Sequence, residues 1–228
     1  MFFFDKICYT DSVKKKVGLL MELIVFVGIP ASGKSTKSVE YRNAGYCVVS
    51  SDEIRSGFMD GKSLADFSAE EQERINAAVF DTVYRKTEEA LSAEVSVVVD
   101  ATHLNRGHRT EFLKYFEKFE CPKKALLFIT PFEVCLLRNR GRTGAAFVPE
   151  NVMHQMLGWF NCPDYSEGWD EIVPIVSDAP FTLPFTETEH FEPGTDAFEN
   201  CSTYLYLVEK CGGQNISPNA FRAILQRK

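Results

Sequence analysis

Leu23-Ile-Val-Phe-Val27 is apolar without a break, and the next eight residues read Gly28-Ile-Pro-Ala-Ser-Gly33-Lys34-Ser35. A short, wholly apolar run is the pattern of a strand buried on both faces of a parallel sheet. The segment after it fits G-x-x-x-x-G-K-[ST], and a helix is expected to follow from Ser35 to Asn43. In that setting glycines let backbone N–H groups turn inward around phosphate oxygens, while the helix N-terminus adds positive potential. Lys34 then reaches the β- and γ-phosphates of a nucleotide, and Ser35 offers a hydroxyl to Mg²⁺. Gly28, Ala31, Ser32, Gly33, Lys34, Ser35 and Thr36 are therefore the expected nucleotide-binding residues, with ATP and Mg²⁺ as the groups they hold. A plain glycine-rich turn with an exposed lysine is the alternative, and the correct strand and helix flanks weigh against it.

Apolar runs recur at Tyr46–Ser50, Val95–Asp100, Ala125–Ile129 and Ile172–Val176. Helical stretches separate them: Ser35–Asn43, a long one opened by the capping box Ser68-Ala-Glu-Glu71, then Arg106–Phe119, Phe132–Arg140 and Pro149–Phe160. Alternation of this kind predicts a three-layer α/β/α fold of P-loop kinase type, with a parallel sheet of about five strands and right-handed crossovers. The domain is expected over residues 21–177. Residues 1–20 read as an irregular extension, or as an upstream start ahead of Met21. Residues 178–200 lack helical or strand period, a short helix is expected over Tyr204–Lys210 before a Gly212-Gly213 break, and 178–228 together read as an acidic extension.

The loop is shared by kinases, GTPases and motors, so the other strand ends must discriminate. No N-K-x-D guanine-reading segment occurs, and no strand ends in the paired acids of a motor ATPase. The second strand runs into Ser50-Ser-Asp52-Glu-Ile-Arg55. Strand ends of a parallel sheet face the ligand crevice, which puts Asp52 on the acceptor side of a γ-phosphate. A carboxylate there can take the proton of an attacking hydroxyl, and Arg55, one turn on, can hold an anionic acceptor group. The alternative is a helix cap at Ser51 or Asp52 with a solvent-facing Arg55.

The third strand ends in Asp100-Ala-Thr102-His-Leu-Asn105-Arg106-Gly-His-Arg109. Asp100 is placed either near Mg²⁺ and its water shell or to orient an arginine. Asn105 reads as a helix cap, with Arg106 and Arg109 on one face as acceptor-binding candidates or as structural residues. Asp100, Thr102, Arg106 and Arg109 complete the expected substrate-binding set with Arg55. Further on, Arg138-Asn-Arg140-Gly-Arg142-Thr-Gly144 and Val148-Pro149 suit a mobile lid that closes arginines onto the transferring phosphoryl group and excludes water. Arg138 and Arg142 are the donor-phosphate candidates, and an ordinary solvated basic loop is the alternative.

With these four segments, the chain resembles the polynucleotide 5′-kinase family of P-loop phosphotransferases, which includes the kinase domain of the bacteriophage enzyme, and more broadly the zeta-toxin-like small kinases. The resemblance spans roughly Leu23 to Val176. It implies that Asp52 is the general base for a 5′-hydroxyl, that Arg55 helps hold the acceptor's phosphate, that Arg142 contacts the donor phosphates and that Asp100 organises the site. The implied reaction is in-line transfer of the ATP γ-phosphoryl group to a hydroxyl, with a single-stranded nucleic-acid 5′ end foremost, catalysed by Asp52, Lys34 and Arg142. A nucleotide-sugar or metabolite kinase, and a non-catalytic nucleotide-binding module, are the competing functions. The sequence has no D-x-D-x-T phosphatase motif and no His-Asp pair, so kinase activity alone is expected.

Charge does not oppose a nucleic-acid end. The net charge is −7, yet ten acids and no Lys or Arg lie between Asp164 and Asn200, so the rest of the chain carries +3. Tight coating of long duplexes is disfavoured, whereas a transfer site needs only a few phosphates in reach. Seven scattered cysteines without a C-x-x-C pair suit buried thiols in a reducing compartment. With no signal-peptide core and no bilayer-length apolar run, the expected location is cytoplasmic, with no membrane contact and no obligate protein partner.

Overall fold

The computed structural model describes residues 21–62, 64–130 and 132–176. Five strands form one sheet: β1 (Leu23–Val27), β2 (Cys47–Ser50), β3 (Val97–Asp100), β4 (Lys123–Ile129) and β5 (Glu171–Val176). All neighbours pair in parallel, in the order β2-β3-β1-β4-β5. The expected fold class is what the chain adopts. Residues 1–20 and 178–228, read above as extensions, lie outside the described residues.

Helices fill the crossovers: α1 (Lys34–Asn43), α2 (Ser51–Met59), α3 (Ala69–Ser92), α4 (Arg106–Tyr115), α5 (Phe132–Arg140) and α6 (Glu150–Trp159). The Ser68 capping box forms as its spacing requires, with Ser68 accepting from the Glu71 N–H and Glu71 accepting from the Ser68 N–H. The helix expected through Phe119 ends at Tyr115 and tightens into a 3₁₀ turn, Phe116–Lys118. That turn sinks Phe116 fully into the core.

β1 is central, and its alternation sorts the two core layers. Leu23, Val25 and Val27 join Val83, Leu91, Phe112 and Phe116 on one face of the sheet. Ile24 and Phe26 meet Val98, Leu126 and Phe128 on the other, against Tyr41 of α1. At roughly 1.5–3 kcal/mol per large apolar side chain buried, β1 is the most strongly anchored backbone next to the site. From β1 the chain leaves toward β2 on one side, and it later reaches β4 on the other. The carboxyl end of β1 therefore opens on the crevice where α/β proteins bind ligands. Among the described residues, Cys121, Cys135 and Cys162 are buried, Cys47 is half-buried, and none is in a disulfide.

Candidate active site

The loop leaving β1 is held by its own backbone demands. Ala31 has φ 63° and Gly33 φ 106°, both left-handed, and Gly33 caps α1. Gly28 is required for a different reason: a Cβ there would stand 2.9 Å from both Phe128 Cβ and Ser32 Oγ. The Gly28 N–H donates to Thr102 O at 3.0 Å, and Thr130 Oγ1 donates to Ser32 O at 2.9 Å, so the ends of β3 and β4 brace the loop.

Lys34 is buried, and its ammonium donates to Gly28 O at 2.9 Å and Ile29 O at 2.7 Å. Burial brings its pKa down to about 8, against the opposing pull of the Asp100 and Asp52 carboxylates, while Arg142 adds to the lowering. Ser35 and Thr36 are exposed in the first turn of α1, and the buried Ser32 Oγ has no partner. A buried hydroxyl left without a partner in this loop suits a phosphate oxygen.

Ser50, not Ser51 or Asp52, caps α2, accepting from the Glu53 N–H at 3.3 Å. Asp52 is thus released from capping, and its side chain is 60% exposed. Arg55 donates from Nη1 to Asp52 Oδ1 at 3.0 Å and from Nη2 to Asn76 Oδ1 at 3.4 Å. Asp100, expected at the substrate, lies deeper. It is buried, its Oδ2 accepts from Ser38 Oγ of α1 at 2.5 Å, and burial raises its pKa against the hydroxyl and Lys34. Its place is beneath the phosphate loop rather than against an acceptor.

The pair on α4 is the main correction. Arg109 is fully buried. Its Nε and Nη2 make a two-bond fork on Glu167 at 2.8 and 2.6 Å, and its Nη1 donates to the carbonyls of His103, Leu104 and Asn161. Trp169 Nε1 donates to the same carboxylate at 3.0 Å. Every donor faces inward, so Arg109 holds the β3–α4 loop instead of substrate. Arg106 is exposed and turned to Ser166 Oγ at 2.7 Å, which ties α4 to the turn before β5. His103, at φ 42°, is buried in that same loop and kept neutral, its pKa lowered to about 4 by burial.

The lid is smaller than its sequence implied. Arg138 and Arg140 belong to α5, where a spacing of two puts them on opposite sides. Arg140 pairs with Glu150 at 3.2 Å, and only Arg142 stands in the loop proper, donating to Ala146 O at 3.3 Å. Asn139, unremarked among its arginine neighbours, is the staple: Nδ2 donates to Val148 O at 2.6 Å and Oδ1 accepts from Val148 N–H at 3.1 Å. It fixes both ends of residues 140–147, and the 3₁₀ turn Gly144–Ala146 packs on α2. Sequence carried no cue for Asn139, Glu167 or Asn76, since each acts through a contact that no period reveals.

A strand-to-phosphate-loop connection flanked by a carboxylate-bearing helix and an arginine-bearing loop defines a P-loop protein of kinase-like fold. The AAA domain family model (AAA_33) matches residues 23–163, more than half of the chain, and the chain belongs to that family. No curated protein matches it significantly. Among solved structures, it is similar to a Chloroflexus aurantiacus protein provisionally described as a kinase, at 16% identity and TM-score 0.55 over 72% of this chain and 89% of that one. Kti12 from Chaetomium thermophilum, solved with ADP-AlF3, aligns at 19% identity and TM-score 0.52 over 68% and 89% of the two chains. A sugar kinase from Janibacter sp. aligns at 16% identity and TM-score 0.50 over 68% and 85%. These likenesses show the fold. Among the described residues, no helix is long and apolar enough to cross a membrane.

Proposed function

We propose that the chain is an ATP-dependent phosphotransferase that moves the γ-phosphoryl group to a hydroxyl, with the 5′-OH end of a single-stranded nucleic acid as its acceptor. The observation that carries this is Asp52 at the start of α2, exposed, not capping its helix and paired with Arg55, with its charge opposing the lowering of the Lys34 pKa. Binding a nucleotide alone does not need a carboxylate open to solvent at that place. The nucleic-acid acceptor rests on the resemblance of the four segments to the 5′-kinases and on Arg55 beside Asp52. The reading assigns the work to residues 21–177 and leaves the flanks without a role.

In this mechanism Lys34 leaves the Gly28 and Ile29 carbonyls to meet the β- and γ-phosphates, and the loop N–H groups and Ser32 Oγ add donors. Ser35 would hold Mg²⁺, whose hard charge neutralises phosphate oxygens when bound; an exposed serine hydroxyl in the first turn suits that ion. Asp52 takes the proton as the acceptor oxygen bonds phosphorus and the bond to ADP breaks. Arg142, with Arg138 at the lid's base, offsets charge on the transferring group.

The test is γ-labelled ATP offered in parallel to a 5′-OH oligonucleotide, to nucleotide sugars and to no acceptor. Label on the oligonucleotide is expected. Label on a sugar instead would replace the acceptor, and equal release without acceptor would point to a regulatory module. Asp52→Ala is expected to abolish transfer while ATP still binds, whereas Lys34→Ala weakens both. Near-normal transfer by Asp52→Ala would refute the base assignment.

A further inference from the structure

Among the described residues six arginines pair with a carboxylate, five through one bond and Arg109 through two. Arg109 closes a fork on Glu167 with Nε and Nη2. Arg55 makes one bond to Asp52, from Nη1, although the two residues stand one helical turn apart. Its Nε is buried and has no partner. An orphaned donor costs about 1–3 kcal/mol, and turning the guanidinium onto Asp52 in the manner of Arg109 would remove that cost. The buried, unpartnered Nε is what sets Arg55 apart from the other one-bond pairs. The other contact is Asn76 of α3, whose Oδ1 accepts from Nη2 at 3.4 Å; the oxygen faces the guanidinium because that group only donates. α2 and α3 pack along each other, so Asn76 holds Arg55 from a separate element.

We propose that Asn76 is a positioning residue of the acceptor side: its carboxamide holds the Arg55 guanidinium in a one-bond contact with Asp52 and prevents a two-bond fork on that carboxylate. The held geometry has one consequence: the second oxygen of Asp52 stays open for the proton of the acceptor hydroxyl, whereas a fork would take both oxygens. The inference rests on the reading of Asp52 as base, and it adds a residue on a third element to that site.

The test uses the full chain, as wild type, Asn76→Ala, Arg55→Lys and the double variant, with Asn76→Leu as a second, bulk-preserving change. The first readout is the ¹⁵N-resolved Nε–H signal of Arg55, assigned by its loss in Arg55→Lys. It is expected to shift in both Asn76 variants as Nε gains a carboxylate partner. The second is transfer to a 5′-OH oligonucleotide. Here kcat/KM for the acceptor should fall about two- to tenfold, the worth of one hydrogen bond, while KM for ATP is unchanged. In the Arg55→Lys background Asn76→Ala should have no further effect, because an ammonium cannot fork. An unmoved Nε–H signal overturns the proposal, and so does a drop that persists undiminished in the Arg55→Lys background. If wild type labels no oligonucleotide while the signal still moves, the acceptor reading falls and the positioning role stands.

Discussion

Replacing Arg109 by Met separates a scaffold arginine from a substrate-binding one. The variant removes five hydrogen bonds: two to Glu167 and one each to the carbonyls of His103, Leu104 and Asn161. Glu167 is then left buried without its arginine, with Trp169 Nε1 as its remaining side-chain donor. Removing one partner of a buried pair costs about 3–5 kcal/mol, since the other charge is left uncompensated. For a domain of this size each kcal/mol lowers Tm by about 2–4 °C, so a fall on the order of 6–20 °C is expected. Thermal unfolding followed by circular dichroism measures it. Adding Glu167→Leu should recover part of the loss by removing the stranded charge; recovery stays partial because three carbonyls and the Trp169 N–H still lack their partners. ATP and acceptor KM, measured well below the lowered midpoint, should stay within about twofold of wild type. A variant that kept its Tm and raised acceptor KM would refute the buried role and return Arg109 to the substrate.

Two further outcomes follow from the phosphate loop. Gly28→Ala forces a Cβ into a space 2.9 Å from Phe128 Cβ and Ser32 Oγ, and should cost about 1–3 kcal/mol along with most nucleotide affinity, read by thermal shift and labelled-ATP binding. Wild-type values for both would mean the loop does not approach β4 this closely. Lys34→Met should alter the pH dependence of nucleotide-free stability. The folded pKa, about 8, lies below the ordinary 10.5, so between those values the unfolded chain binds more protons and wild-type stability rises with pH. Below pH 8 both states are protonated and the folded state carries the full cost of the buried charge, on the order of 3 kcal/mol. The variant lacks that cost, so its stability advantage should be largest below pH 8 and vanish toward pH 10.5 in denaturant titrations. A wild-type–variant difference that stays flat across this range would refute the buried ammonium.

Strand and helix positions were legible because they rest on local pattern. Continuous apolar runs marked all five strands to within two residues, and Ser68 and Glu71 marked the start of α3. The phosphate loop was legible because its glycines and lysine fall within seven residues, Gly28–Lys34, at a fixed spacing, and the structure ties each of them to a local backbone need. The strand order was not legible: β3 lies between β1 and β2 because of how crossovers stack on the sheet, and no residue records that.

The arginines show where local reading stops. Arg55, Arg106, Arg109 and Arg142 look alike in sequence, each following a strand end or a glycine. What separates them is the partner, and that partner comes from far along the chain: Glu167 lies 58 residues from Arg109, Ser166 lies 60 from Arg106, and Asn76 lies 21 from Arg55. A guanidinium can be buried only where carboxylate and carbonyl oxygens surround it, as Glu167 and three carbonyls surround Arg109. Arg55 has one bond to a mostly exposed carboxylate, one long bond to an amide and an empty Nε, which is too little for a group buried for stability alone. Arg109, buried with its donors satisfied, belongs with the core, whereas Arg55 keeps an unpartnered Nε, although the sequence had placed both at the acceptor.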